Sequence, residues 1–208
     1  MNTYWSYEKF LRKKESQIGS MLGATGALYA IRRNLFPQVP WNILVDDMYI
    51  PLSIIERGYR AIFEPEARAY DKPSIYGKEE FRRKVRTLAG NYQILEHFPH
   101  LLMPFESPIA WQFLSHKFLR LVVPFCLTAL VVSNIFLLSQ FFYLLFFAAQ
   151  ALFYGLALLE IWQSKLQKGK KGIGYIPYTF CLLNYSAVVA LIQYLTGRQK
   201  VAWEKAYA

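Results

Sequence analysis

The sequence predicts an α/β soluble segment at residues 1–117 followed by a set of membrane α-helices. Two observations lead to this prediction. Residues 121–159 contain no charged side chain, and neither do residues 172–197. The residues before them alternate between helix-like and strand-like patterns that glycine and proline interrupt. The water-soluble part therefore precedes the membrane-embedded part.

The first uncharged run is too long for one membrane span. Its 39 residues would form a helix of roughly 58 Å, whereas a bilayer core is about 30 Å thick and takes about 20 residues per span. Two spans fit if the chain turns near Ser139 and Gln140. A buried hairpin of a soluble protein is the alternative, but a domain of this size could not readily cover so much Leu, Phe and Val. With the second run we expect about three spans, at residues 118–138, 141–162 and 173–196.

The charges predict how these spans are oriented. The net charge is +10, and four lysines crowd into residues 165–171. The positive-inside rule makes that loop cytoplasmic, and two preceding spans then place residues 1–117 on the same side of an inner or plasma membrane. A third full span would send the basic C-terminal tail outward, against the same rule. Residues 172–196 are thus either a full span, which we favour, or a re-entrant segment.

The basic composition does not predict nucleic-acid binding. Outside the membrane flanks, the sequence has no stripe of Lys and Arg interleaved with aromatic residues. We expect membrane lipid as a partner and no nucleic acid. Cys126 and Cys181 lie in different apolar runs, which is typical of small packing residues and not of a disulfide or a metal site.

The soluble segment starts with a predicted surface helix at residues 4–16, then a glycine-punctuated loop and a short buried strand at residues 27–31. Asp46 can cap a helix that runs to about Arg57 and ends at Gly58. A further strand is predicted at residues 59–63. Fewer than 80 residues of α/β material is thin for an independent core, so this region is interpreted as the second half of a domain.

A basic amphipathic helix is predicted at residues 78–98. Its apolar residues recur every three or four positions, and its other face carries arginines. A helix of this kind before a span most often lies in the headgroup plane, and attraction to anionic lipid is one explanation of the arginines. Residues 104–117 predict a second short interfacial element. The apolar residues are Phe81, Val85, Leu88, Tyr92 and Leu95, and the arginines are Arg82, Arg83 and Arg86.

Three motifs occur in a telling order: Gly-Ala-Thr-Gly-Ala-Leu-Tyr-Ala-Ile-Arg-Arg at residues 23–33, Val-Asp-Asp at 45–47, and Arg-Lys-Val-Arg-Thr-Leu-Ala-Gly-Asn-Tyr-Gln at 83–93. With the membrane pattern that follows, the chain resembles the C-terminal half of a membrane-embedded family-2 glycosyltransferase. Such enzymes are bacterial and related to cellulose, hyaluronan and poly-N-acetylglucosamine synthases. The resemblance implies a partial GT-A-type catalytic domain at residues 1–77, amphipathic interface helices at 78–117 and a transmembrane region at 118–208.

The resemblance also implies site roles. Asp47 matches the presumed general base that deprotonates an acceptor hydroxyl in an inverting transfer, and Asp46 precedes it where glutamate is usual. Helix capping remains an alternative for both. The donor diphosphate would be held by Arg83, Lys84 and Arg86, with Arg86 at the family's arginine. The acceptor-side loop would be Gly23, Ala24, Thr25 and Gly26, for which a simple turn is the alternative.

Two departures from the family pattern qualify this expectation. Arg83 and Thr87 stand where the family has glutamine and tryptophan, which puts processive synthesis in doubt. The sequence also lacks an Asp-x-Asp element, so the ligands of the divalent metal (Mg or Mn) expected in the complete enzyme are absent. We expect a truncated or split hexosyltransferase, inactive alone, that uses a nucleotide sugar and a glycan or lipid-linked acceptor together with a separate donor-binding chain. A non-catalytic membrane subunit, a gene remnant or a lipid-binding scaffold is the alternative.

Overall fold

The computed structural model describes residues 2–70, 77–166 and 172–199. Residues 167–171 of the basic loop and most of the basic tail lie outside the described residues. Two short 3₁₀ turns occur at Arg33–Leu35 and Pro99–Leu102, and a π-helix, Leu114–Phe118, joins α4 to α5. The α-helices of the described part are α1 (Asn2–Ile18), α2 (Asp46–Glu56), α3 (Gly77–His97), α4 (Ala110–Phe113), α5 (Leu119–Phe136), α6 (Phe141–Leu166) and α7 (Tyr175–Leu195).

Helix α2 is at the centre of the part that precedes the three long apolar helices. One side packs against the end of α3 and against α4, and the other side packs under the loop at residues 31–39. This explains why α2 is apolar almost all round, as expected of a helix buried on several sides. The helix ends as predicted, because Gly58 adopts a positive φ of 83° that L-residues rarely adopt. Its buried side chains are Met48, Ile50, Pro51, Leu52, Ile54 and Ile55.

The strands predicted at residues 27–31 and 59–63 are not formed in the described part of the chain. The first segment holds only an isolated bridge between Thr25 and Leu28, and its residues are mostly exposed. In the second, Ala61 accepts one backbone hydrogen bond, from Met21 N at 2.9 Å. Apolar side chains alone do not make a strand, because its backbone groups also need a ladder partner. The α/β part of the predicted fold is therefore not confirmed.

The segment after Gly58 is instead fastened to the end of α1. Arg60 donates to the carbonyl oxygens of Ser16 and Gly19, at 2.6 and 2.7 Å from its Nη2 and Nε atoms. A guanidinium at this position satisfies carbonyls that a helix C-terminus leaves without partners. Side-chain hydrogen bonds thus replace the sheet that the pattern predicted.

Among the described residues, three helices are long and apolar enough to cross a membrane: Ala110–Phe136, Phe141–Gln163 and Tyr175–Leu195. The predicted turn near Ser139 lies between α5 and α6, which form an antiparallel hairpin. Asn134 Nδ2 and Gln150 Oε1 hydrogen-bond between these helices at 3.1 Å. The segment predicted as a second interfacial element is not separate, because from Ala110 onward it is continuous with α5.

Helix α7 packs against both helices of this hairpin. Near its start, Gly174 lies against the backbone of Leu156 in the second half of α6. Further along, Ala187 shares a buried cluster with Leu121, at the start of α5. The start of α5 and the end of α6 are neighbours in an antiparallel hairpin. Tyr175–Leu195 is itself long and apolar enough to cross a membrane, which agrees with the full span favoured over a re-entrant segment.

The apolar face predicted on α3 exists, but α7 covers it. Phe81 stacks on Tyr185 and Tyr92 on Tyr194, with ring centroids 5.8 and 5.6 Å apart. Tyr194 also donates a 2.8 Å hydrogen bond to Glu96 Oε2. Burial against a helix removes this apolar surface from water, which the expected headgroup contact would otherwise do. This packing fixes α3 relative to α2, and the site described below is built from both helices.

Candidate functional site

Asp46 and Asp47 are the first two residues of α2. The N-cap residue is Val45, which makes no side-chain cap, so the expected capping by Asp46 is not what the structure contains. Two acids in the first turn still favour the helix, because the N-terminal end carries partial positive charge. Asp46 is exposed and Asp47 is half-buried. The two neighbours thus meet different surroundings.

The loop at residues 23–26 is fastened directly to Asp47. The backbone N–H of Ala24 donates to the Asp47 carbonyl oxygen at 2.7 Å. That carbonyl is available because Pro51, four residues later, has no N–H to donate to it. A methyl group added to Gly26 would lie 3.6 Å from Asp47 Oδ2. Gly26 therefore lies next to the carboxylate, and a methyl group there would make an ordinary van der Waals contact with it.

Helix α3 holds the segment that leads into the two aspartates. Gln93 accepts from Leu44 N and donates to Asn42 O, both at 3.0 Å. Gly90 lets the helices approach closely, since a methyl group there would be 2.6 Å from the Val45 side chain. The third sequence motif thus positions the second, and Arg86, one turn before Gly90, acts electrostatically on Asp47.

Burial is the main influence on the Asp47 carboxyl and raises its pKa above the usual value for aspartate. The adjacent Asp46 carboxylate raises the pKa further, whereas Lys117, Arg12 and Arg86 lower it. These three cations come from the π-helix, α1 and α3. A carboxyl with a raised pKa is a stronger base once it is ionised, which suits proton abstraction from a hydroxyl.

Three residues were predicted to hold the donor diphosphate. Of these, Arg86 is among the cations that act electrostatically on Asp47. Arg83 and Lys84 are half-buried on α3 and are not among the charges with the largest effects on Asp47. Thr87 is exposed, and its hydroxyl donates back to the Arg83 carbonyl at 2.9 Å.

Sequence reasoning missed Arg12, Lys117 and Tyr29. Arg12 Nη1 donates to Thr25 Oγ1 at 2.7 Å, which ties α1 to the acceptor-side loop. Burial raises the pKa of Tyr29, and the Asp46 and Asp47 carboxylates raise it further. A signal for Arg12 existed, because Glu8, Arg12 and Glu15 fall on one face of α1 by their spacing. No local pattern marks Lys117.

The divalent metal expected in the complete enzyme has no ligand set among the described residues, where no three His, Cys, Asp or Glu side chains are grouped to hold one. Asp46 and Asp47 alone are two acids from one helical turn. The described residues therefore do not fit a metal centre, and the roles below are assigned to protein side chains alone.

Comparison with protein families finds a match to the glycosyl transferase family group 2, over residues 3–161. The match runs from α1 into α6 and includes all three motifs. No curated protein and no solved structure matches the chain.

Proposed function

Because the chain belongs to the glycosyl transferase family group 2, we propose that it supplies the acceptor-side and membrane part of an inverting sugar transfer. The donor would be a nucleotide sugar, and the acceptor a polysaccharide or a glycolipid. The soluble helices would face the cytoplasm, where nucleotide sugars are available. The observation that carries the proposal is the half-buried Asp47 carboxyl, beside small residues and in the field of Arg86.

Asp47 is the proposed general base. As the acceptor oxygen attacks the anomeric carbon, its proton passes to an Asp47 carboxylate oxygen, and the bond from the sugar to the nucleoside diphosphate breaks. Negative charge then grows on the departing diphosphate. Arg86 would offset that charge, with Arg83 and Lys84 as further donor-side cations. The loop at residues 23–26 would let the acceptor approach Asp47.

Donor binding is assigned to a donor-binding half outside these 208 residues, whether it belongs to the same polypeptide or to a separate chain. The sequence contains no Asp-x-Asp element, and a Mg or Mn ion would accompany the part that supplies one. Purified alone in nanodiscs, the protein should transfer no sugar from UDP-glucose or UDP-N-acetylglucosamine. Transfer should start when a donor-binding chain is added. Robust turnover by the 208-residue chain by itself would contradict this assignment.

The substitution Asp47→Asn tests the base. It preserves size and removes the proton acceptor, so turnover in the two-chain assay should fall by about 10²–10⁴ with donor affinity unchanged. Near-normal turnover would show that Asp47 serves only the start of α2, and would favour a non-catalytic membrane subunit.

The Asp47→Asn substitution should lower turnover without lowering the stability of the protein. The pKa of Asp47 is raised in the folded protein, so the folded state binds more protons than the unfolded state between the unfolded and folded pKa values. Stability therefore falls as pH rises through that interval, and the cost is fully present above it. Asn carries no charge and removes this cost. The melting temperature of Asp47→Asn at neutral pH should equal or exceed that of the unmodified protein, so lost turnover cannot be attributed to unfolding.

Arg86→Ala tests the donor side of the same site. A cation that holds phosphate acts in the ground state and in the transition state, so both donor affinity and turnover should fall. Arg82→Ala is the matched control, because Arg82 is an exposed cation on the same helix. If Arg86→Ala and Arg82→Ala bind UDP equally well when the donor-binding part is present, Arg86 has no role in holding the diphosphate.

A further inference from the structure

A cavity lies beside the last turns of α2, at the opposite end of the helix from Asp46 and Asp47. Its volume is about 360 Å³, which is within the range of small-molecule sites. One part of its lining is apolar and deeply buried, and the other part is polar and more exposed. The apolar part includes Leu52, Leu101 and Ile109, and the polar part includes Glu56, His100 and Glu106.

The polar side of this cavity is unsuited to an anion. Glu56 Oε1 lies 3.0 Å from His100 Nε2, so one of its two oxygens is engaged. Glu106 is exposed and pairs with no cation in the described part of the chain. A carboxylate offers about four acceptor sites, so both acids can still accept hydrogen bonds. Because two acids face one imidazole, the lining stays negative whether or not His100 is protonated.

The backbone that carries Glu106 is fixed by consecutive turns. Glu106 N donates to the Met103 carbonyl oxygen at 3.2 Å, and Ala110 N donates to the Ser107 carbonyl oxygen at 3.1 Å. This wall of the cavity is therefore formed before a ligand arrives, which lowers the entropic cost of binding.

The same wall, residues 106–109, leads directly into the first long apolar helix. That helix, Ala110–Phe136, has 27 residues and measures roughly 40 Å, close to the thickness of a bilayer with its headgroups. Its first turn would then lie at headgroup level. The turn before it exposes 94% of Phe105 and 55% of Met103, and exposed apolar side chains beside a membrane helix favour contact with lipid. The cavity is therefore placed beside the headgroups.

We propose that this cavity binds a primary ammonium group, supplied by a lipid with an ethanolamine headgroup. An ammonium carries three N–H donors in a compact group, so it can donate both to Glu106 and to the second oxygen of Glu56. The methylene groups beside it would contact the apolar lining. A choline headgroup has the same charge but no N–H to donate. This inference does not depend on sugar transfer.

A soluble amine could supply the same group, so the experiment compares both sources. Native mass spectrometry of the full chain in detergent measures binding of dihexanoyl-phosphatidylethanolamine, dihexanoyl-phosphatidylcholine and free ethanolamine. The unmodified protein should bind the ethanolamine lipid about tenfold more tightly than the choline lipid. Glu56→Gln and Glu106→Gln should each weaken binding of the ethanolamine lipid by about tenfold, the cost of one charge-assisted contact. Glu66→Gln is the matched control, because Glu66 is an exposed acid outside the cavity.

Each result has a defined meaning. Selective loss of the ethanolamine lipid, with much weaker binding of free ethanolamine, supports the lipid headgroup. Free ethanolamine that binds as tightly as the lipid and is lost in the same variants supports the ammonium site and overturns the lipid source. Equal affinity for the two lipids, or Glu56→Gln and Glu106→Gln that bind as Glu66→Gln does, overturns the proposal. Both acids are exposed, so their amide variants should fold, and melting temperatures check this.

Discussion

Asp47 and Glu160 are both carboxylates withdrawn from water, but the chain surrounds them differently. Beside Asp47, an added methyl group on Gly26 would sit 3.6 Å from Oδ2, an ordinary van der Waals distance. Beside Glu160, which is 5% exposed, a methyl group on Gly172 would sit 2.5 Å from Oε2. The Gly172 N–H also donates to Glu160 Oε1 at 3.1 Å.

A methyl group thus fits beside the Asp47 carboxylate, whereas the backbone of residue 172 leaves no room for one beside the Glu160 carboxylate. Around Asp47, charges arrive from α1, α3 and the π-helix, and the nearest loop is built of small residues. Around Glu160, the loop into α7 presses directly on the carboxylate. A buried acid is therefore a better candidate for chemistry when the structure leaves room for a ligand next to it. The same comparison yields four predictions.

The largest expected effect is in the pH dependence of transfer. The base must be ionised, so turnover should fall about tenfold per pH unit below the pKa of Asp47. Because this pKa is raised, the fall at low pH (the acid limb of the pH–rate profile) should begin at a higher pH than for an ordinary aspartate. Initial rates of the two-chain assay measured across pH check this. Glu160→Gln should retain the limb, whereas a limb that persists in the residual activity of Asp47→Asn would assign it to another group.

A methyl group added on a glycine next to Glu160 should destabilise the protein. Gly174 lies against the Leu156 carbonyl and the Glu160 side chain, so Gly174→Ala must displace backbone and should destabilise the protein by about 1–3 kcal/mol. Gly155→Ala is the control, because Gly155 on α6 has no neighbour within 4 Å of an added methyl group. Thermal unfolding in detergent measures both, and equal melting temperatures would show that α6 and α7 are not tightly joined.

A methyl group at Gly90 should affect the Asp47 site indirectly, because it would move α3. Gly90→Ala would push α3 away from Val45, at a cost of about 1–3 kcal/mol and with loss of Arg86 placement. Val45→Ala removes the opposing side-chain atoms, so the double variant should recover part of the loss. A double-mutant cycle on unfolding free energy measures this coupling. Strictly additive effects would argue against the contact.

The smallest effect is expected at Gly26. Its backbone has no positive φ and the added methyl group meets no clash, so Gly26→Ala should keep its melting temperature. The methyl group would occupy the space beside Asp47, and kcat/KM for the acceptor should fall about tenfold. Gly172→Ala should show the reverse, with reduced stability and little change in kcat/KM. Unchanged kcat/KM in Gly26→Ala would remove the loop from the acceptor side.

Sequence patterns predicted the helices well and the strands poorly, for a physical reason. The helices at α2, α3, α5 and α6 satisfy their own backbone groups, so composition and spacing within one segment suffice to indicate them. Residues 27–31 and 59–63 have strand-like side chains, but a strand forms only beside another strand. Their partners are not encoded locally, and in the described part of the chain the Arg60 guanidinium and the Ser16 hydroxyl hold the second segment instead.

The sequence by itself determined the order of motifs, the apolar helices, the two adjacent aspartates and the family. Only the tertiary structure decided which charges meet Asp47. Arg12 and Lys117 are separated by more than a hundred positions, and only the packing of α1 against the π-helix brings them to one carboxylate. The structure also decided that α7 covers α3, since that contact joins distant segments. Local patterns report what one segment can satisfy alone, whereas a site depends on how segments pack.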